Sequence, residues 1–237
     1  ASAPVNGVIF TGMLALHAAD AKITNSRFLN DYEDDALNVK YARGSVTRSY
    51  FSGNNGDALD VDQSPDFLIT ANTFNNNGYG YVPGHATIGD AIDVSFNRST
   101  IADNVITNCG DKGISVGESS TPRLLGNVII NCDYGVAVKD NSQAYLDGNI
   151  ILNNRRGLGL YLKKLEFGGG GQLVGENLTL WGNQSAIEKD GYSGYALKNS
   201  TVENASPGLG ENIRTAAPDW RKLLPAALWP NVRNLIN

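Results

Sequence analysis

The sequence predicts an all-β fold, a right-handed parallel β-helix built from three-strand coils of about 22 residues. Three observations carry that expectation. A motif of the form Asp-Ala-Leu-Asp-Val returns at a nearly fixed step, each step holds three short apolar-alternating pieces, and small polar residues recur between them in register.

The motif stands as Asp35-Ala36-Leu37-Asn38-Val39, Asp57-Ala58-Leu59-Asp60-Val61 and Asp90-Ala91-Ile92-Asp93-Val94. It continues as Lys112-Gly113-Ile114-Ser115-Val116, Tyr134-Gly135-Val136-Ala137-Val138 and Arg156-Gly157-Leu158-Gly159-Leu160. Counted from Asp35, the steps are 22, 33, 22, 22 and 22 residues. A constant period of this size marks a solenoid of stacked coils.

Within each step a second apolar series runs Ile23, Val46, Ile69, Ile101, Leu124, Leu146. A third runs Phe28, Phe51, Phe74, Ile106, Ile129, Ile151. Three short strands and three turns fill one coil of a parallel β-helix, and parallel crossovers are overwhelmingly right-handed. Leu14 and Leu16 align with Leu37 and Val39, so Val8-Ile9-Phe10 and Leu14-Ala15-Leu16 read as an incomplete first coil. The polar series Ser26, Ser49, Asn72, Asn104, Asn127, Asn149 predicts a ladder of amides bonding one another up the stack.

Past Tyr161 the register loosens. Lys163-Lys164-Leu165-Glu166-Phe167 followed by Gly168 to Gly171 reads as a loop outside the period. From Ser206-Pro207-Gly208 the composition changes; Trp220, Leu223, Leu224, Leu228 and Trp229 have near-helical spacing, interrupted by Pro225 and Pro230. The organisation expected is a β-helix domain over residues 1–204 and a capping segment over 205–237 that covers the apolar solenoid end.

Composition narrows the function. The net charge is −5 with no dense Lys/Arg run, which argues against a nucleic-acid partner. No apolar stretch approaches the roughly 20 residues of a membrane span, so no membrane insertion is expected. Ala1-Ser2-Ala3-Pro4 runs directly into repeat-like sequence without a basic-plus-apolar leader, which reads as a piece of a longer chain. Cys109 and Cys132 each follow an Asn one coil apart, which allows either a disulfide or two stacked reduced thiols; the thiols are the simpler expectation.

Chemistry is expected on the outward positions of the Ala-Leu-x-Val strand. Alternation puts Asn38, Asp60, Asp93, Ser115, Ala137 and Gly159 in one outward column, and Lys40, Asp62, Ser95, Gly117, Lys139 and Tyr161 in the next. Asp60 and Asp93 then face each other across one coil step. Their repulsion is about 1 kcal/mol in water-like surroundings and about 3 kcal/mol at an effective dielectric near 20. A cation or a raised pKa relieves it. The long step falls between them, and its extra residues, Gly78 to Gly89, carry Tyr79, Tyr81 and His85. Insertions in solenoids loop out on one face. The candidate catalytic residues are therefore Asp60, Asp93 and His85, and the candidate calcium ligands Asp60, Asp62 and Asp93. Tyr79, Tyr81, Lys112, Lys139 and Asn38 are the candidate substrate-binding residues. Asp35, Asp57 and Asp90 begin their strands and are expected to bond turn amides. Lys112, Lys139, Arg155 and Arg156 either meet a polysaccharide carboxylate or balance charge.

Gly89-Asp90-Ala91-Ile92-Asp93-Val94, Gly110-Asp111-Lys112-Gly113-Ile114-Ser115-Val116-Gly117-Glu118, Gly135-Val136-Ala137-Val138-Lys139-Asp140 and Lys163-Lys164-Leu165-Glu166-Phe167-Gly168-Gly169-Gly170 carry a family resemblance. They resemble bacterial parallel β-helix proteins of the pectin-lyase-like superfamily, and in particular the repeat region in or beside proteins with a CotH-type kinase domain. The resemblance spans roughly residues 8 to 204. It implies the fold, and for the wider superfamily polysaccharide chemistry. The Asp-Pro-His-Asp motif of alginate epimerases is missing, as are the Asn-Thr-Asp, Gly-His-Gly and Arg-Ile-Lys motifs of polygalacturonases. Three readings follow. The first is an extracellular or cell-envelope module binding polysaccharide along its Asp-lined face. The second is a polysaccharide lyase, hydrolase or epimerase acting through the Asp60/Asp93 groove. The third is a spacer in a larger surface protein with flanking domains.

Overall fold

The computed structural model describes residues 12–32, 34–79, 81–82, 85–86 and 89–232, with the backbone alone for 81–82, 85–86 and 230–232. It is a right-handed parallel β-helix with three parallel sheets of eight strands each. One coil illustrates the rest: Asp35–Lys40 lies in the first sheet, Arg43–Thr47 in the second and Tyr50–Ser52 in the third. Among the described residues no helix is long and apolar enough to cross a membrane.

Strict register is the organising feature. Leu14 pairs with Leu37, Leu37 with Leu59, Leu59 with Ile92, Ile92 with Ile114, Ile114 with Val136, and Val136 with Leu158. From Leu37 to Leu158 this column has no solvent exposure. Phe28, Phe51 and Phe74 form another column, their rings stacked with centroids 4.7 Å apart. Val8-Ile9-Phe10 of the expected first coil lies outside the described residues.

The polar ladder forms as expected. Asn72, Asn104 and Asn127 each donate a side-chain amide hydrogen to the next rung's Oδ1, at 3.0, 2.9 and 2.9 Å, ending on Asn149. Each Oδ1 also accepts the backbone N–H of the coil before it, as Asn104 N donates to Asn127 at 3.1 Å. Further ladders include a third amide series, in which Asn153 donates to Asn131, Asn131 to Asn108 and Asn108 to Asn75, and two more. One uses Ser64, Ser120 and Ser142 hydroxyls as acceptors for Ala42, Asn97 and Ser120 N–H groups. The other joins Asn54 to Asn77 and Asn154 to Asn183, at 2.9 and 3.0 Å.

Cys109 and Cys132 occupy the two rungs between Asn77 and Asn154: Cys109 pairs with Asn77, and Cys132 N donates to Asn154 Oδ1 at 2.8 Å. The expectation of reduced thiols is corrected here. The two cysteines form a disulfide with Cα atoms 4.5 Å apart, because stacking sends both side chains into one inward column.

The long step is an outward hairpin in which Tyr81–Val82 pairs antiparallel with His85–Ala86. Its neck is closed by Gly89 N donating to Gly78 O at 3.2 Å. Gly78 has φ of 79°, and a Cβ there would sit 2.0 Å from Gly89 O, so only glycine fits the neck. The segment after 204 has two destinations. Glu211 and Arg214 bridge to Lys198 and Thr201 of the last coil, while Leu209 and Ile213 pack on the core end. Trp220, Leu224 and Leu228 instead lie along the outer side of the third sheet, against Val128, Ile130, Ile150 and Leu152.

Asn127 is fully buried, and it serves Ile101 O at 2.8 Å as well as Asn104 N. Asn127→Ala leaves both backbone groups without partners, at about 1–3 kcal/mol each. The expected loss is about 3 kcal/mol in urea unfolding; a loss below about 1 kcal/mol contradicts this account of the ladder.

Candidate functional site

The first sheet's outer face carries the predicted columns in the predicted register. Asn38 pairs with Asp60, Asp60 with Asp93, Asp93 with Ser115, and Lys40 with Asp62. Beyond them Ser115, Ala137 and Gly159 are small, and longer side chains from neighbouring coils lie flat over the sheet. Lys139 runs back across Gly117, where a Cβ would come within 3.2 Å of its Cε. It donates to Ser115 Oγ at 2.8 Å and reaches Asp93 Oδ1 at 3.7 Å. A Cβ on Gly159 would sit 2.4 Å from the Tyr134 ring, and that ring carries the Arg156 guanidinium 4.5 Å from its centroid.

Asp35, Asp57 and Asp90 do bond turn amides. Each accepts the N–H that opens the next coil's strand: Asp57 N at 3.2 Å, Asp90 N at 2.6 Å and Lys112 N at 2.9 Å. They also join the outward face. Asn38 Nδ2 donates to Asp35 at 2.8 Å and to Asp60 at 2.9 Å. Carboxylate oxygens of Asp57, Asp90 and Asp93 lie within 4.8 Å of one another. Among the described residues this is the set gathered at metal-ligand spacing, and it includes Asp93 but not Asp60 or Asp62 of the expected calcium trio. Asp62 is taken by Lys40 at 2.8 Å, and Lys40 also stands 3.6 Å from Asp60.

The electrostatics follow from crowding. Burial, with Asn38 donating in opposition and Asp34 repelling, raises Asp35 to about 6. Burial raises Asp90 to about 6 as well, against the pull of Lys112 and with the push of Asp93. Asp57 is raised well above the ordinary carboxylate range by burial and by Asp90, Asp93 and Asp35. Asp60 is likewise raised, by burial and by Asp62, Asp35 and Asp93. Burial opposes the charge on Lys112, but Asp90 and Asp111 hold it protonated, above the ordinary lysine value.

All four basic residues considered for this side find protein carboxylates. Lys112 pairs with Asp90 and Asp111, Lys139 with Asp93, Arg155 with Asp133, and Arg156 with Asp133 and Glu188. Tyr79 donates its hydroxyl to Cys109 O at 2.9 Å, on the edge between the third and first sheets. The Tyr81 and His85 side chains lie outside the described residues; their backbones form the hairpin. Asp57, Asp90 and Tyr134 are members of this face that alternation alone missed. Asp90 and Asp93 are three residues apart, which strict alternation sends to opposite faces. The recurring Asp-x-x-Asn/Asp spacing at 35/38, 57/60 and 90/93 was the available signal.

A parallel solenoid with an acidic outer face, bordered by an inserted hairpin, is the class of protein this geometry defines. The chain belongs to the right-handed β-helix family: the model described as "Right handed beta helix region" matches residues 11–205. A similar solved structure is titled "Crystal structure of Dettilon tailspike protein (gp208)", with 14% identity and a TM-score of 0.42. The match covers 86% of this chain and 55% of the tailspike, so the chain spans about half of that protein's length. The comparison with curated proteins finds no match.

Asp35 and Asp90 give a pH signature. Their folded pKa values, about 6, exceed the ordinary 3.8, so between those values the folded state holds more protons than the unfolded one. Their contribution is fully present below about pH 4 and is lost as pH rises through about 6, on the order of 3 kcal/mol per group. Urea unfolding of wild type against Asp90→Asn across this window reads it. Wild type should lose stability relative to the variant as pH rises, and a difference that stays flat contradicts the assignment.

Proposed function

We propose that this chain is an extracellular or cell-envelope module that binds a polysaccharide strand along the outer face of its first sheet. The observation that supports this most is Asp93, whose Oδ1 is buried without a hydrogen-bond partner among the described residues, beside Asp57, Asp90 and the paired Asp60. Unlike Asp35, Asp57 and Asp90, neither Asp60 nor Asp93 has a backbone amide as a hydrogen-bond partner among the described residues. Lys139 stands 3.7 Å from that oxygen as an ion-pair partner without a hydrogen bond, and the Asp93 side chain is 23% exposed, so ligand hydroxyls arriving from solvent add donors that the carboxylate lacks. Asn38, Lys112, Lys139 and the hairpin with Tyr79, Tyr81 and His85 border the strand in this reading. The disulfide supports an oxidising compartment. The resemblance to pectin-lyase-like repeats beside CotH-type kinase domains fits the same role, with flanking domains of a longer chain as covalent partners. A calcium ion belongs to the proposal too, held by Asp57, Asp90 and Asp93 in place of the Asp60–Asp62–Asp93 set, since hard cations take clustered carboxylate oxygens.

A second reading, a glycoside hydrolase, draws support from the unlike surroundings of Asp60 and Asp93. Burial and neighbouring carboxylates raise Asp60 toward a proton-holding acid, while Asp93 has the Lys139 ammonium 3.7 Å away. Paired carboxyls whose environments differ divide into acid and base or nucleophile. A separation of one coil step, about 5 Å, is nearer the retaining than the inverting arrangement. His85 would assist as a further proton carrier.

Affinity gel electrophoresis against a polysaccharide panel, with calcium and with chelator, followed by product analysis, tests these readings. Binding without products, weakened several-fold by Asp60→Asn/Asp93→Asn, is the expected result. Products that vanish in Asp60→Asn establish the hydrolase. Absence of both across the panel overturns the proposal and leaves the spacer. Calcium should raise the thermal unfolding midpoint of wild type, and an equal rise in Asp93→Asn removes the metal from the account.

A further inference from the structure

A second surface feature lies away from the acidic face. It is a trough of about 610 Å³ on the outer side of the second sheet, near the turn from the first sheet. Two outward columns form its walls. Gln143 pairs with Gln172 and Gln172 with Gly194, while Arg123 pairs with Tyr145, Tyr145 with Val174, and Val174 with Ala196.

The two walls differ in chemistry. Gln143 and Gln172 are exposed, and their side-chain amides have no hydrogen-bond partner among the described residues. Gln172 lies over Gly194, where a Cβ would come 2.7 Å from its Oε1. The opposite wall is apolar: the Tyr145 ring, steadied by the Arg123 guanidinium 5.5 Å from its centroid, and Val174, 48% exposed.

We propose that this trough is a second, non-catalytic saccharide-binding site, which takes a linear neutral polysaccharide running along the solenoid axis. A pyranose ring has C–H faces and hydroxyl edges, and the trough offers an apolar wall and an amide wall to match them. Each free amide supplies two donors and an acceptor to hydroxyls. The amides repeat at the coil step of about 4.8 Å, close to the advance of one sugar in an extended chain, so successive sugars meet successive glutamines. Neutrality follows from charge. Asp147 and Glu176 lie one outward position beyond Tyr145 and Val174, and Arg123 is engaged on the tyrosine ring, so a polyanion gains little here.

The test is affinity gel electrophoresis on neutral polysaccharides (xylan, β-glucan and mannan) with polygalacturonate as the anionic control. Wild type, Gln143→Ala/Gln172→Ala and Asp60→Asn/Asp93→Asn are compared. Both glutamines are exposed, so the first variant should keep the wild-type unfolding midpoint. The expected result is at least a tenfold loss of affinity for one neutral polysaccharide in the glutamine variant, with that affinity retained in the aspartate variant. Unchanged affinity in the glutamine variant overturns the inference, as does retardation confined to polygalacturonate. Binding abolished by the aspartate variant alone keeps the acidic face as a site and removes this one.

Discussion

Every feature of this protein depends on one constraint, the in-register stacking of each coil on the next at the spacing of a parallel sheet. A residue in one coil meets its counterpart in the next along a single column. Apolar columns such as Leu37 to Leu158 then close a continuous core with no exposed member. Polar side chains at turns must satisfy both a neighbouring rung and a backbone N–H, and the Asn72–Asn149 ladder does both. The disulfide is the same geometry with a covalent rung in place of an amide one.

The same constraint creates the acidic face. Repeating Asp-Ala-Leu-Asp on successive coils sets like charges one step apart, with only a few nearby cations to offset them. Lys40, Lys112 and Lys139 each lie over the sheet to reach a carboxylate. Small outward residues such as Gly117 leave room for those long stems. What remains is a crowd of acidic groups, expressed as raised carboxyl pKa values and an Asp93 oxygen that has an ion pair but no hydrogen bond. Repulsion on this scale works against folding, which is why the face, rather than the core, is where function is sought.

The site was less legible than the fold. The outward columns from Asn38 to Gly159 and the pairing of Asp60 with Asp93 followed from alternation. Asp57 and Asp90 were read as turn residues, and they are, but each also brings its carboxyl into the cluster with Asp93 because alternation breaks where the strand begins. The serine ladder of Ser64, Ser120 and Ser142 went unread because its rungs carry unlike residues. Trp220 and Leu224 looked suited to an end cap, and packing took them instead to the side of the third sheet.

The sequence by itself determined the coil period, the three strand series, the inward and outward columns and the place of the insertion, because a repeat writes its spatial neighbours at a fixed distance along the chain. Only the tertiary structure decided which carboxylates converge, that Lys139 crosses back two coils to Asp93, that the cysteines are joined, and that a trough lies on another sheet. Those outcomes depend on how side chains lie across coil boundaries and on where strands begin, and residue spacing carries neither.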